Sequence, residues 1–152
     1  MSPTSRPWRK AAPGKLVGRG HAAGDFLEAW DWDVLETRHG FLRLECSLPD
    51  SVRNPRGQLF GGFTPTYVDF VALHTVHAGK ERSRSWLATT NMRVDYFDPL
   101  VGPRFRIEGQ LVRERGRTCF VETRFLDLRG KLLVFALTTM RRVPTDLVIG
   151  DA

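Results

Sequence analysis

Two features in one short stretch could do chemistry together. From Asn54 to Asp69 the chain passes through a turn-rich loop and a glycine pair, Gly61 and Gly62, into an apolar segment that holds one carboxylate, Asp69. Glycines leave their backbone amides unshielded by a side chain. At the start of a helix such amides point outward with partial positive charge, and they can hold an anion or polarise a carbonyl. A carboxylate in a helix that otherwise reads as core is costly to bury, so it needs a reason. The expectation is one catalytic site built from the amides and the carboxylate. Plainer readings stand beside it. The glycine pair could serve only a tight turn, Asp69 could pair with an Arg or a buried hydroxyl, and Asn54 before Pro55 is ordinary turn chemistry.

The elements that must position these groups can be read from periodicity. Asp31 to Arg38 and Phe41 to Leu48 read as strands joined at His39 and Gly40. In the second, Leu42, Leu44, Cys46 and Leu48 share one face, the spacing of a half-buried strand. Residues 49–58 form a loop rich in Pro, Asp, Asn and Gly. A helix is predicted from Gly61 or Thr64 to Ala78, with Thr64 as its cap, Pro65 in its first turn and Gly79 at its end. Apolar residues cover most of its circumference, which marks a buried helix. Four strands follow, Trp86–Phe97, Arg104–Arg113, Thr118–Asp127 and Lys131–Val143, and their short connections predict successive antiparallel hairpins. The sum is an α+β chain in which an antiparallel sheet of about six strands wraps one long central helix. Phe120 and Leu126 lie on the second face of their strand and call for cover, which a second protomer would supply.

Composition narrows the function classes. The 152 residues predict one domain, and 41% hydrophobic residues suffice for a core. No apolar run reaches the ~18 residues a membrane helix needs. Two cysteines, Cys46 and Cys119, are too few for a disulfide scaffold and predict buried thiols in a reduced, cytoplasmic setting. The net charge of +6 is uneven: residues 1–24 hold Arg6, Arg9, Lys10, Lys15 and Arg19 and no acid. The domain is therefore nearly balanced, and nucleic-acid binding is not expected of it. The division expected is a basic tail over 1–24, a domain over 25–145 and a short tail over 146–152.

The layout, together with Asn54, the run Leu59-Phe60-Gly61-Gly62 and Asp69, resembles the hotdog-fold acyl-CoA thioesterases. It is most similar to the branch of the phenylacetate-pathway and 4-hydroxybenzoyl-CoA enzymes. That branch has an amide side chain seven residues before a glycine and a carboxylate eight after it, and Asn54, Gly61 and Asp69 keep both spacings. The runs from Thr89 to Pro99, Leu111 to Thr118 and Asp127 to Lys131 are similar to its later strands and hairpins. The resemblance implies catalytic roles for Asp69, Gly61, Asn54 and Thr89. The Gly61 amide would polarise a thioester carbonyl, and Asn54 would orient the water or the carbonyl. Asp69 would be general base, or nucleophile through a mixed anhydride, and Thr89 would support the water. Phe60 departs from the pattern, because much of the branch has His there.

The resemblance further implies an acyl-CoA substrate, no cofactor beyond the coenzyme A of that substrate, and a homodimer or dimer of dimers with shared sites. Helix geometry agrees on the sharing: a helix beginning at Gly61 puts Asp69 ~12 Å along its axis, so two antiparallel copies would pair one chain's Asp69 with the other's Gly61. Expected substrate contacts are Gly62, Phe60, Phe63, Tyr67 and Phe70 and strand residues near Thr89, with Arg113, Arg115 and Arg117 meeting the phosphates of coenzyme A. His74 and His77 stand three apart on the helix, but no further ligands follow in a recognisable pattern, so no metal site is expected. No Walker, dinucleotide or nucleophile-elbow pattern is present. The rival readings are a hotdog enoyl-CoA hydratase or dehydratase, a non-catalytic acyl-CoA-binding protein and, as a weaker third, nucleic-acid binding through the basic tail.

Overall fold

The computed structural model describes residues 13, 32–79 and 85–144. The basic tail, the segment Phe26 to Trp30 and the C-terminal residues from 145 lie outside the described residues, Pro13 excepted. Six strands and one long helix make up the described chain: β1 (Trp32–Arg38), β2 (Phe41–Ser47), α1 (Thr64–His77), β3 (Ser85–Tyr96), β4 (Arg104–Arg115), β5 (Thr118–Leu126) and β6 (Leu132–Pro144), with a 3-10 turn at Asp50–Val52. The strands form one antiparallel sheet in the order β1-β2-β4-β5-β6-β3. The expected α+β hotdog layout is therefore observed, with the sheet wrapped around α1.

One expectation needs correction. Strands β3 and β4 do not form a hairpin: β3 pairs with β6 at the edge of the sheet, and β4 lies between β2 and β5. The connection 97–103 is a crossover rather than a turn. It is tied to the loop ahead of the helix by bonds from Leu59 N to the Leu100 carbonyl and from Leu48 N to the Pro103 carbonyl, both 2.8 Å. Arg53 reinforces the tie, donating from Nη1 to the Val101 carbonyl (2.9 Å) and from Nη2 to the Leu48 carbonyl (3.2 Å). The wrapped sheet needs this crossover, because β3 closes the far side of the helix while β4 must run beneath it.

The core lies between α1 and the inner sheet face. Tyr67, Val68, Val71, Ala72 and Val76 are buried against Leu42, Leu44, Ile107, Val121, Phe125 and Met140. Gly109 sets how closely the helix approaches β4: a Cβ there would lie 1.9 Å from Thr75 Oγ1 and 3.1 Å from Val71 Cγ1. At the helix C-terminus Gly79 takes φ +68°, and a Cβ there would lie 2.7 Å from His39 N in the β1–β2 turn. Only glycine suits both demands. The predicted cap at the other end is corrected. Thr64 is the first helical residue and is buried, Pro65 follows it, and Phe63 ahead of them makes no side-chain capping bond. The helix thus starts with no side-chain cap at that position.

On the outer face of β1, β2 and β4, charges form a ladder. Arg104 binds Glu45 (2.8 Å) and Asp33 (2.9 Å), Arg106 binds Glu45 (3.4 Å), and Arg43 joins Glu36 to Glu108 (both 2.8 Å). The Arg104 guanidinium, opposed by desolvation and helped by Arg106, holds the Glu45 carboxyl below its ordinary value. A depressed carboxyl contributes stability above its unfolded value and loses it as pH falls through the folded one. Glu45→Gln should therefore lower the urea midpoint at pH 7, and the gap to wild type should close progressively below about pH 4. Urea titrations at pH 7 and pH 3 would show it, and a gap that persists or widens in acid would contradict it.

Candidate active site

Asp69 does not lie in the core, which corrects the burial argument. It is exposed, on an open stripe of α1 with Thr66 and the half-buried Leu73. Positions 66, 69 and 73 share one face at helical spacing, so the stripe is an open side of a helix whose other positions are largely buried. Thr89 on β3 donates its hydroxyl to Asp69 Oδ1. A β-bulge between Thr89 and Asn91 makes that reach possible. The extra residue, Thr90, sends its own hydroxyl to the Thr139 carbonyl at 3.1 Å. The slip changes the side-chain parity of β3, so Leu87 and Thr89 before the bulge and Met92 and Val94 after it face the helix.

Beside the Asp69–Thr89 pair lies an open cavity of about 470 Å³ lined by Phe70, Leu73, Trp86 and Met92 together with Pro65, Thr66 and Asp69. An apolar cavity with one carboxylate and one hydroxyl at its wall can hold a hydrophobic group next to a proton acceptor. Of the expected helix residues only Phe70 lines it, while Trp86 and Met92 are strand residues near Thr89, as expected. Tyr67 is fully buried, with its ring centroid 5.1 Å from that of Trp32, 5.7 Å from Phe105 and 6.2 Å from Phe125. Burial, with the Cys46 thiol adding, pushes its phenol well above the ordinary value. Phe63 is half-buried and packs on the core and against Phe60. Tyr67 misses the cavity because it sits on the core-facing side of the helix, and Phe63 because it lies ahead of the helix, beside Phe60. Leu73, one turn beyond Asp69, could have been found by i, i+4 spacing. Trp86 and Met92 fall in the stretch of β3 near Thr89 that was expected to line the pocket, but the bulge between Thr89 and Asn91 hides from the sequence which individual residues face it.

The glycine pair lies in the turn that precedes α1. The N–H groups of Leu59, Phe60 and Phe63 are taken by the carbonyls of Leu100, Val52 and Phe60, at 2.8–2.9 Å. Among the described residues those of Gly61 and Gly62 have no acceptor, and both glycines are exposed. Two adjacent amide donors therefore stand open at a helix start, the arrangement that can bind an oxyanion. Phe60 is half-exposed, and its ring lies 2.9 Å from where a Cβ on Gly62 would stand, so in this rotamer it packs over the second glycine. Tyr96 donates its phenol to the Gly61 carbonyl at 2.7 Å.

Strand β3 thus touches both features, Asp69 through Thr89 and Gly61 through Tyr96. Thr89 and Tyr96 stand seven positions apart, roughly 20 Å along the strand. Within one chain the carboxylate and the amides lie toward opposite ends of β3.

The remaining candidates are placed as follows. Asn54 works inside its own loop: its Oδ1 accepts from the N–H groups of Arg56 (2.9 Å) and Gln58 (3.0 Å), and its Nδ2 donates to Gln58 Oε1 at 3.3 Å. Arg113, Arg115 and Arg117 are exposed at the β4–β5 hairpin, and the ion pair there joins Glu114 to Arg142 instead. His74 Nδ1 lies 2.9 Å from the Phe70 carbonyl. Among the described residues no group of three or more His, Cys, Asp or Glu is placed to hold a metal, and no helix is long and apolar enough to cross a membrane.

With this geometry in view, the chain can be compared with known proteins. Residues 56–134 match the family model of the Thioesterase superfamily, and the chain belongs to that family. No functionally curated protein matches it. Among solved structures it is similar to a hypothetical thioesterase with coenzyme A from Streptococcus pneumoniae, at 17% identity and a TM-score of 0.67 over 78% of this chain and 91% of that one. It is also similar to a putative thioesterase, a phenylacetic acid degradation-related protein from Ralstonia eutropha (21%, TM-score 0.69, 78% and 89%). A third likeness is to zebra fish thioesterase superfamily member 2 (22%, TM-score 0.66, 73% and 80%). At these identities the likeness establishes the shared fold.

Proposed function

We propose that this member of the thioesterase family hydrolyses an acyl-CoA thioester to a free carboxylic acid and coenzyme A. The observation that carries the reading is the Asp69 carboxylate, held by the Thr89 hydroxyl at the wall of an apolar cavity. Thr89 occupies Oδ1 and so leaves Oδ2 to act on the substrate or on water. As general base Asp69 takes a proton from water while the water oxygen bonds to the carbonyl carbon. As nucleophile it bonds to that carbon itself, and water then opens the anhydride. Either way the carbon–sulfur bond breaks, the electron pair leaves with sulfur, and a proton returns to the thiolate. The Gly61 amide receives the charge that develops on the carbonyl oxygen. The Asn54 carboxamide, whose nitrogen keeps one N–H beyond its bond to Gln58, orients the water or the carbonyl.

The separation along β3 supports a site shared between two copies, one giving Asp69 and Thr89 and the other giving Gly61, Gly62, Phe60 and Asn54. The acyl group enters the cavity beside Phe70, Trp86 and Met92, and Arg113, Arg115 and Arg117 meet the phosphates. No cofactor enters the chemistry. Cys46 and Cys119, buried and in no disulfide, support a cytoplasmic setting. A screen of short, long and aryl acyl-CoAs with a thiol reagent tests the reading: coenzyme A should appear with at least one class. Binding without thiol release would favour the non-catalytic rival that Phe60 suggests, and hydration of an enoyl-CoA would favour the other.

A further inference from the structure

We propose that Tyr96 is a positioning residue for the open amides of the glycine pair, and that its phenol supplies the polar support that Phe60 cannot give this loop. The inference rests on the thioesterase reading for its catalytic consequence and on geometry for its structural one. The loop is fixed on either side of the pair: Leu59 and Phe60 are tied to the Leu100 and Val52 carbonyls, and Phe63 to the Phe60 carbonyl. Between those anchors stand two residues with the widest backbone freedom in the chemistry of proteins. The one hydrogen bond that reaches them among the described residues is the donation from Tyr96 Oη to the Gly61 carbonyl, at 2.7 Å. The ring lies alongside, with Cε1 3.9 Å from where a Cβ on Gly61 would stand.

That single bond has a defined effect. A peptide unit is planar, so holding the Gly61 carbonyl holds the Gly61–Gly62 peptide plane. In a trans peptide the N–H points opposite to the carbonyl, so the direction of the Gly62 N–H is set as well. Donation to the carbonyl also polarises the unit and makes its N–H a better donor. Gly62 thereby becomes a second oriented donor beside Gly61. The tether has a firm base, because Tyr96 pairs with Val134 of β6 and the next residue, Phe97, donates its N–H to the Leu133 carbonyl at 2.9 Å. Phe60 reaches the pair from the Gly62 side with a ring alone. Because Tyr96 is 52% exposed, its hydroxyl contributes little to global stability, so its effect should be local.

Tyr96→Phe removes one oxygen and keeps the ring. In the full chain it should lower kcat about five- to tenfold with KM unchanged, and leave the thermal midpoint unchanged. The ¹⁵N order parameters of Gly61 and Gly62 should fall from the rigid range near ~0.85 toward ~0.6. Unchanged order parameters, an unchanged kcat, or a loss of activity matched by a loss of global stability would each overturn the proposal. If wild type releases no thiol from any acyl-CoA, the thioesterase reading and the catalytic role fall together, and the order parameters alone decide whether the tether exists.

Discussion

Asp69→Asn is expected to lower kcat for thioester hydrolysis by about 10²- to 10⁴-fold and to leave the fold untouched. The carboxamide has the carboxylate's shape, and its oxygen can still accept the Thr89 hydroxyl. It cannot take a proton from water, nor form an anhydride. Asp69 is exposed on the open stripe of α1, so the core does not feel the exchange, and the thermal midpoint should match wild type. Substrate affinity should persist, because the rest of the cavity wall and the glycine amides are unchanged. Thiol-release kinetics beside a melting curve would check both halves. A variant that turns over at the wild-type rate would remove Asp69 from the chemistry.

The second large effect is on stability. Gly109→Ala should destabilise the protein by about 3 kcal/mol, since overpacking a filled core forces side chains and backbone to shift. The new Cβ would stand 1.9 Å from Thr75 Oγ1, 3.1 Å from Thr75 Cβ and 3.1 Å from Val71 Cγ1. Thr75 has no easy escape. It is fully buried and its hydroxyl donates to the Val71 carbonyl at 2.7 Å, so another rotamer breaks that bond or puts a methyl group at the contact. Adding Thr75→Ala removes the worst clash but not the Cβ contact. The double variant should therefore be more stable than the two single costs added together, by about 1 kcal/mol or more. Urea midpoints of the four proteins give the cycle. Strict additivity would show that the helix and β4 do not meet through this pair.

Much of the architecture was legible because its causes are local. Alternation along Leu42, Leu44 and Cys46, and along Phe105, Ile107 and Gly109, reports an inner sheet face, and the structure buries these residues. The apolar helix with glycine at its end is likewise a local pattern, and Thr64–His77 falls within the predicted span. Strand order is not local. A short connection predicts a hairpin, yet 97–103 carries the chain across the sheet, because closure around the helix decides which strand β3 meets. The site divided in the same way. Asp69 and Gly61 stand out as a carboxylate in an apolar segment and as bare amides, although the carboxylate proves to be exposed, and their spacing gives the resemblance its specificity. The contact from Thr89 to Asp69 depends on a bulge, and that from Tyr96 to Gly61 joins a strand end to a distant loop. Neither has a periodic signature. Tyr67 shows the converse, an aromatic next to the key residues in sequence that the helix turns into the core.

The most direct test of the account is hydrolysis of an acyl-CoA in ¹⁸O-labelled water, following the thiol and the acid together. Over many turnovers the account predicts equal amounts of coenzyme A and free acid, with ¹⁸O in the acid, all dependent on Asp69. An acyl-CoA that binds but yields no thiol, or thiol released equally well by Asp69→Asn, would contradict it.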